Sequence, residues 1–234
     1  KVLPSFSMRI ACFVSSHGFG HAARMAALLV ELLKRNRAIE PIIFGQTPAW
    51  FWTNNLPESC SFELIHQKTD VGLVQKNPFF HDLSKTKIEV SKFLDFPNRD
   101  TAGVRETLEK NCVQLILADV SPLGIKVGAD LGIPTVLIEN FTWDWIYQDY
   151  LNREKGFEDI IDRLRKVYSK TTLRIQCAPF CEAHSGAHSV HPIFRPSTLG
   201  SSRTKRLLGI NKSETFTLLR SEEHTSELQS PDHL

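Results

Sequence analysis

Two histidines bracket a glycine turn near the start of the chain, where residues 16–24 read S-H-G-F-G-H-A-A-R. An imidazole exchanges its proton in the neutral pH range, so His17 and His21 are each candidates for a general base. Gly18 and Gly20 allow a tight turn and let the backbone approach a ligand without a Cβ in the way. A helix beginning near His21 would aim unpaired N–H groups and a partial positive charge at whatever binds there. Arg24 falls on its first turn and fits either a ligand contact or a surface salt bridge. The pattern lacks the third glycine of G-x-G-x-x-G and has no phosphate-loop lysine, which excludes both nucleotide fingerprints. The same residues also fit a plain turn capped by its histidines.

A second group of candidates lies further on. Asp119 closes the apolar run V-Q-L-I-L-A of residues 113–118. A carboxylate there can orient His21, stabilise its protonated form or bind an acceptor hydroxyl; it can equally cap the turn at Ser121 and Pro122. Glu139 and Asn140 stand at the end of the run T-V-L-I-E and lead into Trp143, Asp144, Trp145 and Tyr147. Aromatic rings with carboxylates between them suit the faces and hydroxyls of sugars, although Trp145 and Tyr147 equally fit core packing. Cys177, Cys181, His184, His188 and His191 look superficially like a metal tract, but Pro179 and the irregular spacing match no zinc module, and no metal is expected.

These residues need a scaffold. Residues 8–14 (MRIACFV) read as a buried parallel strand, 22–34 as a helix and 41–45 as a second strand. A strand is expected at 61–65, helices at 85–94 and 101–110, and a strand at 113–118. A helix at 123–131 is closed by Gly132, and a strand follows at 135–139. An amphipathic helix at 157–168, a short strand at 174–178 and a helix at 203–208 complete the pattern, with a strand beginning at 215–219. Strands alternating with helices imply an α/β, doubly wound, Rossmann-like parallel sheet, with ligands beyond the carboxyl ends of the strands.

The bulk composition is ordinary: 234 residues, 41% hydrophobic, 23% charged, 12 Gly and 12 Pro. A net charge of +2 without basic blocks argues against a nucleic-acid partner. Five scattered cysteines, with Cys12 and Cys112 in or beside apolar runs, suggest free thiols in a reducing compartment. No apolar run is long enough for a transmembrane helix, and the cytoplasm is the expected compartment.

Residues 16–24 resemble the glycine-rich first loop of GT-B glycosyltransferases, including the lipid-linked N-acetylglucosamine transferase of peptidoglycan synthesis. They resemble still more closely the H-G-F-G-H-A-[TA]-R segment in the amino-terminal domain of L-arabinokinase and its bacterial stand-alone relatives. Residues 118–150, A-D-V-S-P through N-F-T-W-D-W-I-Y-Q-D-Y, and more weakly 70–75, D-V-G-L-V-Q, extend the likeness. The resemblance implies the amino-terminal half of a GT-B fold, facing an acceptor across an interdomain cleft. By that resemblance His21, His17 and Asp119 are the catalytic candidates. Gly18, Phe19, Gly20, Arg24, Glu139, Asn140 and Asp144 are the binding candidates. A sugar acceptor and a nucleotide-sugar are the implied partners, with no cofactor. An arabinokinase-like accessory module and a non-catalytic sugar-binding protein are the alternatives.

The expected organisation is an upstream extension at 1–7, the acceptor-side domain at 8–187, a linker at 188–202 rich in Pro, Ser and Gly, and the start of a truncated nucleotide-sugar domain at 203–219. Residues 220–234 (RSEEHTSELQSPDHL) resemble the translation of a sequencing-library adapter and are expected to be non-native. A fragment so cut is expected to be inactive alone as a transferase.

Overall fold

Residues 10–14 are almost without solvent exposure, and a run of buried apolar side chains on both faces makes a central strand. In the computed structural model, which describes residues 7–77, 80–197, 199–211 and 214, this run is β1 (Met8–Val14). It is followed by α1 (Phe19–Arg35), β2 (Ile39–Gly45), α2 (Ala49–Asn55) and β3 (Glu63–His66). A small antiparallel pair comes next, β4 (Gln75–Asn77) and β5 (Phe80–His81), then α3 (Leu83–Leu94) and α4 (Asn98–Lys110). The chain continues through β6 (Leu115–Asp119), α5 (Pro122–Leu131), β7 (Thr135–Glu139), α6 (Trp143–Gln148) and α7 (Phe157–Tyr168). The last described elements are β8 (Leu173–Cys177), β9 (His188–Val190) and α8 (Ser201–Leu207).

Seven strands form one sheet in the order β3-β2-β1-β6-β7-β8-β9, and every neighbouring pair is parallel. The chain leaves β1 toward β2 and β3, then returns to the other side of β1 with β6. The order therefore reverses between β1 and β6, the switch point at which sheets of this kind form their ligand crevice, at the carboxyl ends of the two strands. The register sets Val14 beside Asp119, which brings the end of one strand level with the end of the other.

Helices cover both faces. Ile10, Cys12 and Val14 pack with Ala22, Met25, Ala26 and Leu29 of α1 and with Phe51 and Trp52 of α2. Ala11 and Phe13, pointing the other way, pack with Phe44, Val104, Leu108 and Leu123, and the Phe13 and Phe44 rings stack at 4.4 Å. A third cluster joins Ala118 and Leu137 to α3, α6 and α7. The α1 stripe recurs at helical spacing, and Lys34 and Arg35 lie in its last turn, where cations favour the helix dipole. Ser121 caps α5 by accepting from the Gly124 N–H, Pro122 occupies its first turn, and Gly132, at φ 68°, ends it.

The expected strands and helices at 8–14, 135–139 and 157–168 are β1, β7 and α7 with the same bounds. Five elements were not foreseen: α2, β4, β5, α6 and β9. The stretch 188–202, expected as a linker, begins with β9, which pairs with β8 as the last strand of the sheet. The five cysteines are free; Cys12 and Cys177 are buried, whereas Cys112 is exposed in a left-handed turn after α4. The strand expected at 215–219 and the tail at 220–234 lie outside the described residues, as do residues 1–6. No helix among the described residues is long and apolar enough to cross a membrane.

Candidate functional site

The first helix and β6 meet through side chains at the crevice. His21, in the first turn of α1, sets its Nδ1 2.7 Å from Asp119 Oδ1. Arg24, one turn on, grips the same carboxylate with two parallel bonds, Nε to Oδ2 at 2.7 Å and Nη2 to Oδ1 at 2.6 Å. Its Nη1 donates to Asn140 Oδ1 at 2.8 Å, which ties the end of β7 into the cluster. Asp119 is fully buried, and the Arg24 and His21 side chains are each 11% exposed. The α1 backbone explains the pairing, because residues three apart on a helix share a face.

Charge and hydrogen bonds decide the state of this cluster. Burial by itself would push the Asp119 carboxyl up; Arg24 and then His21 outweigh it and hold the group below the ordinary carboxylate value. Burial would also lower the Arg24 guanidinium, and the carboxylate beside it raises it instead. A carboxylate accepts only, so the short contact assigns the neutral His21 proton to Nδ1. Arg24 Nη2, at 3.4 Å from that nitrogen, is a second donor and makes no bond with it. Nε2 of His21 then carries the lone pair, and among the described residues it has no hydrogen-bond partner. Val120, immediately after Asp119, is held at φ 57°, an uncommon conformation for a β-branched residue, and its carbonyl accepts from the Tyr168 hydroxyl at 3.0 Å.

The glycine loop contributes unequally. Gly18 adopts φ 73° and ψ 174° as the residue that opens α1, a conformation open essentially to glycine. Gly20 lies inside the helix with open space around the position of a Cβ. Phe19 turns away from the crevice and stacks on Phe51 at 5.1 Å. His17 stays at the crevice, edge-on to Trp143 at 5.1 Å, while His21 meets Phe141 edge-on at 5.9 Å.

Two sequence candidates make no hydrogen bond or ion pair with His21 among the described residues. Glu139 is buried and accepts from Arg174 at 2.9 Å and from Gln176 at 2.8 Å, so it serves the junction of β7 with β8. Asp144 lies 3.6 Å from Arg165 and lines a polar cavity of about 680 Å³ between α7 and β8, with Thr171, Thr172 and His184. A second cavity of about 700 Å³ lies between α1, the end of α2 and residues 192–204. Neither cavity is lined by His17 or His21. Asp70, which sequence reasoning did not single out as a site residue, is buried near His17 and accepts from the Trp143 indole N–H at 2.9 Å. Its only signal was its place in the D-V-G-L-V-Q segment. Among the described residues no three His, Cys, Asp or Glu side chains gather as a metal site.

No protein-family model matches the chain. UGT2 of Phytolacca americana, solved with UDP-2fluoro-glucose and pterostilbene, superposes with a TM-score of 0.50 at 16% identity, over 81% of this chain and 55% of that one. The fold is that of GT-B glycosyltransferases. The Acinetobacter baumannii MurG structure aligns at a TM-score of 0.45 and 12% identity, over 81% of this chain and 47% of MurG. L-arabinokinase of Arabidopsis thaliana is 25% identical over 177 residues, 73% of this chain and 16% of that protein. The chain therefore spans about half the length of these solved glycosyltransferases and under a fifth of the arabinokinase.

Proposed function

We propose that this chain is the acceptor-side part of a glycosyltransferase-like protein of GT-B type. In this reading His21 Nε2 takes the proton of an acceptor hydroxyl as its oxygen bonds to the anomeric carbon of a nucleotide-sugar. The bond from that carbon to the nucleotide diphosphate breaks, and the diphosphate leaves with the electron pair. Asp119 holds the imidazole in the tautomer that leaves Nε2 bare and compensates the imidazolium once formed. Arg24 and Asn140 keep the carboxylate in place and are positioning residues, not acceptor contacts. The observation that supports this most is the 2.7 Å His21–Asp119 contact at the point where strand order reverses.

A second reading has its own support in the similarity to L-arabinokinase: here the domain would be a sugar-binding module beside a kinase. The two are separated by incubating the full-length product of this gene with a panel of nucleotide-sugars and, separately, with ATP and free pentoses and hexoses. Nucleoside diphosphate release that depends on an acceptor is the expected result. ADP formation with a free sugar, and no nucleotide-sugar turnover, would replace the transferase reading with the kinase one.

A further inference from the structure

His17 repeats the arrangement of His21 in mirror sense. Its Nε2 lies 3.8 Å from Asp70 Oδ1, with the His17 side chain 37% exposed and that of Asp70 1% exposed. The imidazole is seated so closely over Gly72 that a Cβ there would come within 2.0 Å of Nε2. Gly72 has φ 61°, and its carbonyl accepts from the buried Tyr147 hydroxyl at 2.8 Å, so the floor beneath His17 is fixed.

Asp70 is equally fixed. The preceding residue is bolted to the ends of both crevice strands: Thr69 donates its hydroxyl to the Val14 carbonyl at 2.8 Å, and Ser121 donates to the Thr69 carbonyl at 3.0 Å. Asp70 Oδ2 is occupied by Trp143, whereas Oδ1 is buried and has no partner among the described residues. A carboxylate oxygen shut off from water without a donor is costly. Solvent does not reach it, and His17 Nε2 needs to close by only about 1 Å to donate to it.

With Nε2 turned toward Asp70, His17 has Nδ1 as its free nitrogen, whereas His21 turns Nδ1 toward Asp119 and has Nε2 free. Each ring packs edge-to-face with an aromatic from the β7–α6 junction, His21 with Phe141 and His17 with Trp143, and those two aromatics lie 5.4 Å apart. We propose that His17, positioned by Asp70, is a second hydroxyl-binding station. The acceptor is then a polyhydroxylated molecule of the sugar or cyclitol class, held at one hydroxyl by His21 Nε2 and at another by His17 Nδ1. An acceptor with a single hydroxyl engages His21 alone and leaves His17 Nδ1 to water, so it forgoes the second bond. This inference rests on the reading of His21 as the acceptor base.

The test is a long-range proton–nitrogen correlation spectrum of the ¹⁵N-histidine-labelled chain, at a pH where the imidazoles are neutral. The expected result is opposite tautomers: the proton on Nε2 in His17 and on Nδ1 in His21, with Asp70→Asn disturbing the His17 pattern alone. Millimolar galactose, arabinose or myo-inositol should shift His17 Nδ1 and His21 Nε2 together, whereas benzyl alcohol should shift only His21. His17→Phe should weaken polyol binding at least tenfold and leave benzyl alcohol binding unchanged. A His17 proton on Nδ1, or polyols that shift His21 alone, would overturn the second station and leave the His21 reading intact. No shift of either histidine with any of these probes would overturn both.

Discussion

His21 Nδ1 and Asp119 Oδ1 stand 2.7 Å apart although 98 positions separate them in the chain. The parallel pairing of β1 with β6 brings them together. Val14 and Asp119 share a register position, and the turn from Val14 into α1 is short enough that its first helical turn leans over the end of β6. A side chain from the first turn of α1 and one from the end of β6 thus converge on one point, where doubly wound sheets place a ligand site.

Because Arg24 is nearly buried, its guanidinium relies on Asp119 for its counter-charge. Asp119→Ala should cost about 3–5 kcal/mol in urea unfolding, since it leaves a guanidinium stranded in the interior. Replacing the pair together, Asp119→Leu with Arg24→Met, should recover much of that stability while leaving His21 without its anchor. A single replacement with no loss of stability would mean that the cluster is not a buried ion pair.

The same carboxyl makes stability depend on pH in a defined direction. Its folded value is depressed, so it contributes stability above the ordinary aspartate value of about 3.9. That contribution fades as the pH falls from there through the lower folded value. Thermal melts of wild type should therefore lose stability below about pH 4, and Asp119→Asn should lack that part of the slope.

The two loop glycines should respond differently. Gly18→Ala forces a side chain into a φ/ψ region reserved for glycine and should cost about 1–3 kcal/mol. Gly20→Ala meets open space in a helical turn and should leave stability unchanged or raise it by up to about 1 kcal/mol. Equal losses in chemical denaturation would contradict this account of the turn.

Trp143 and Tyr147 offer a comparison at the second histidine. Trp143→Phe removes the N–H that Asp70 Oδ2 accepts and leaves a buried charged acceptor short of a donor, a loss of about 1–3 kcal/mol. Tyr147→Phe removes a neutral bond to the Gly72 carbonyl and should cost less, about 0.5–1.5 kcal/mol. Unfolding free energies in the reverse order would show that Asp70 has another donor.

Much of this frame is legible before any coordinates. Buried apolar runs ending at Val14, Asp119 and Glu139 mark parallel strands, and the helical stripe from Ala22 to Leu33 marks α1, so His21 and Asp119 can be placed on one edge of the sheet. Harder to read were the features set by contacts distant in sequence. Asp70 sits in a segment without periodicity, positioned by Val14 and Ser121 rather than by its neighbours. Arg24 is spent on Asp119 and Asn140, and no helical pattern announces partners that far along the chain. Glu139 ends its strand as expected, but its register partner is Gln176, which draws it toward β8 and away from His21. α2 and α6 are short and rich in aromatics, with little intrinsic helical preference, and burial of Trp52 and Tyr147 holds them.

In the proposed reaction His21 accepts the acceptor proton. This step is tested most directly by comparing kcat of wild type and His21→Ala in the full-length gene product, with a nucleotide-sugar and acceptor pair that the wild type turns over. Loss of a general base predicts a fall of about a hundred- to ten-thousand-fold in the variant, with the chain still folded by circular dichroism. A folded His21→Ala protein that transfers sugar at the wild-type rate would contradict the account.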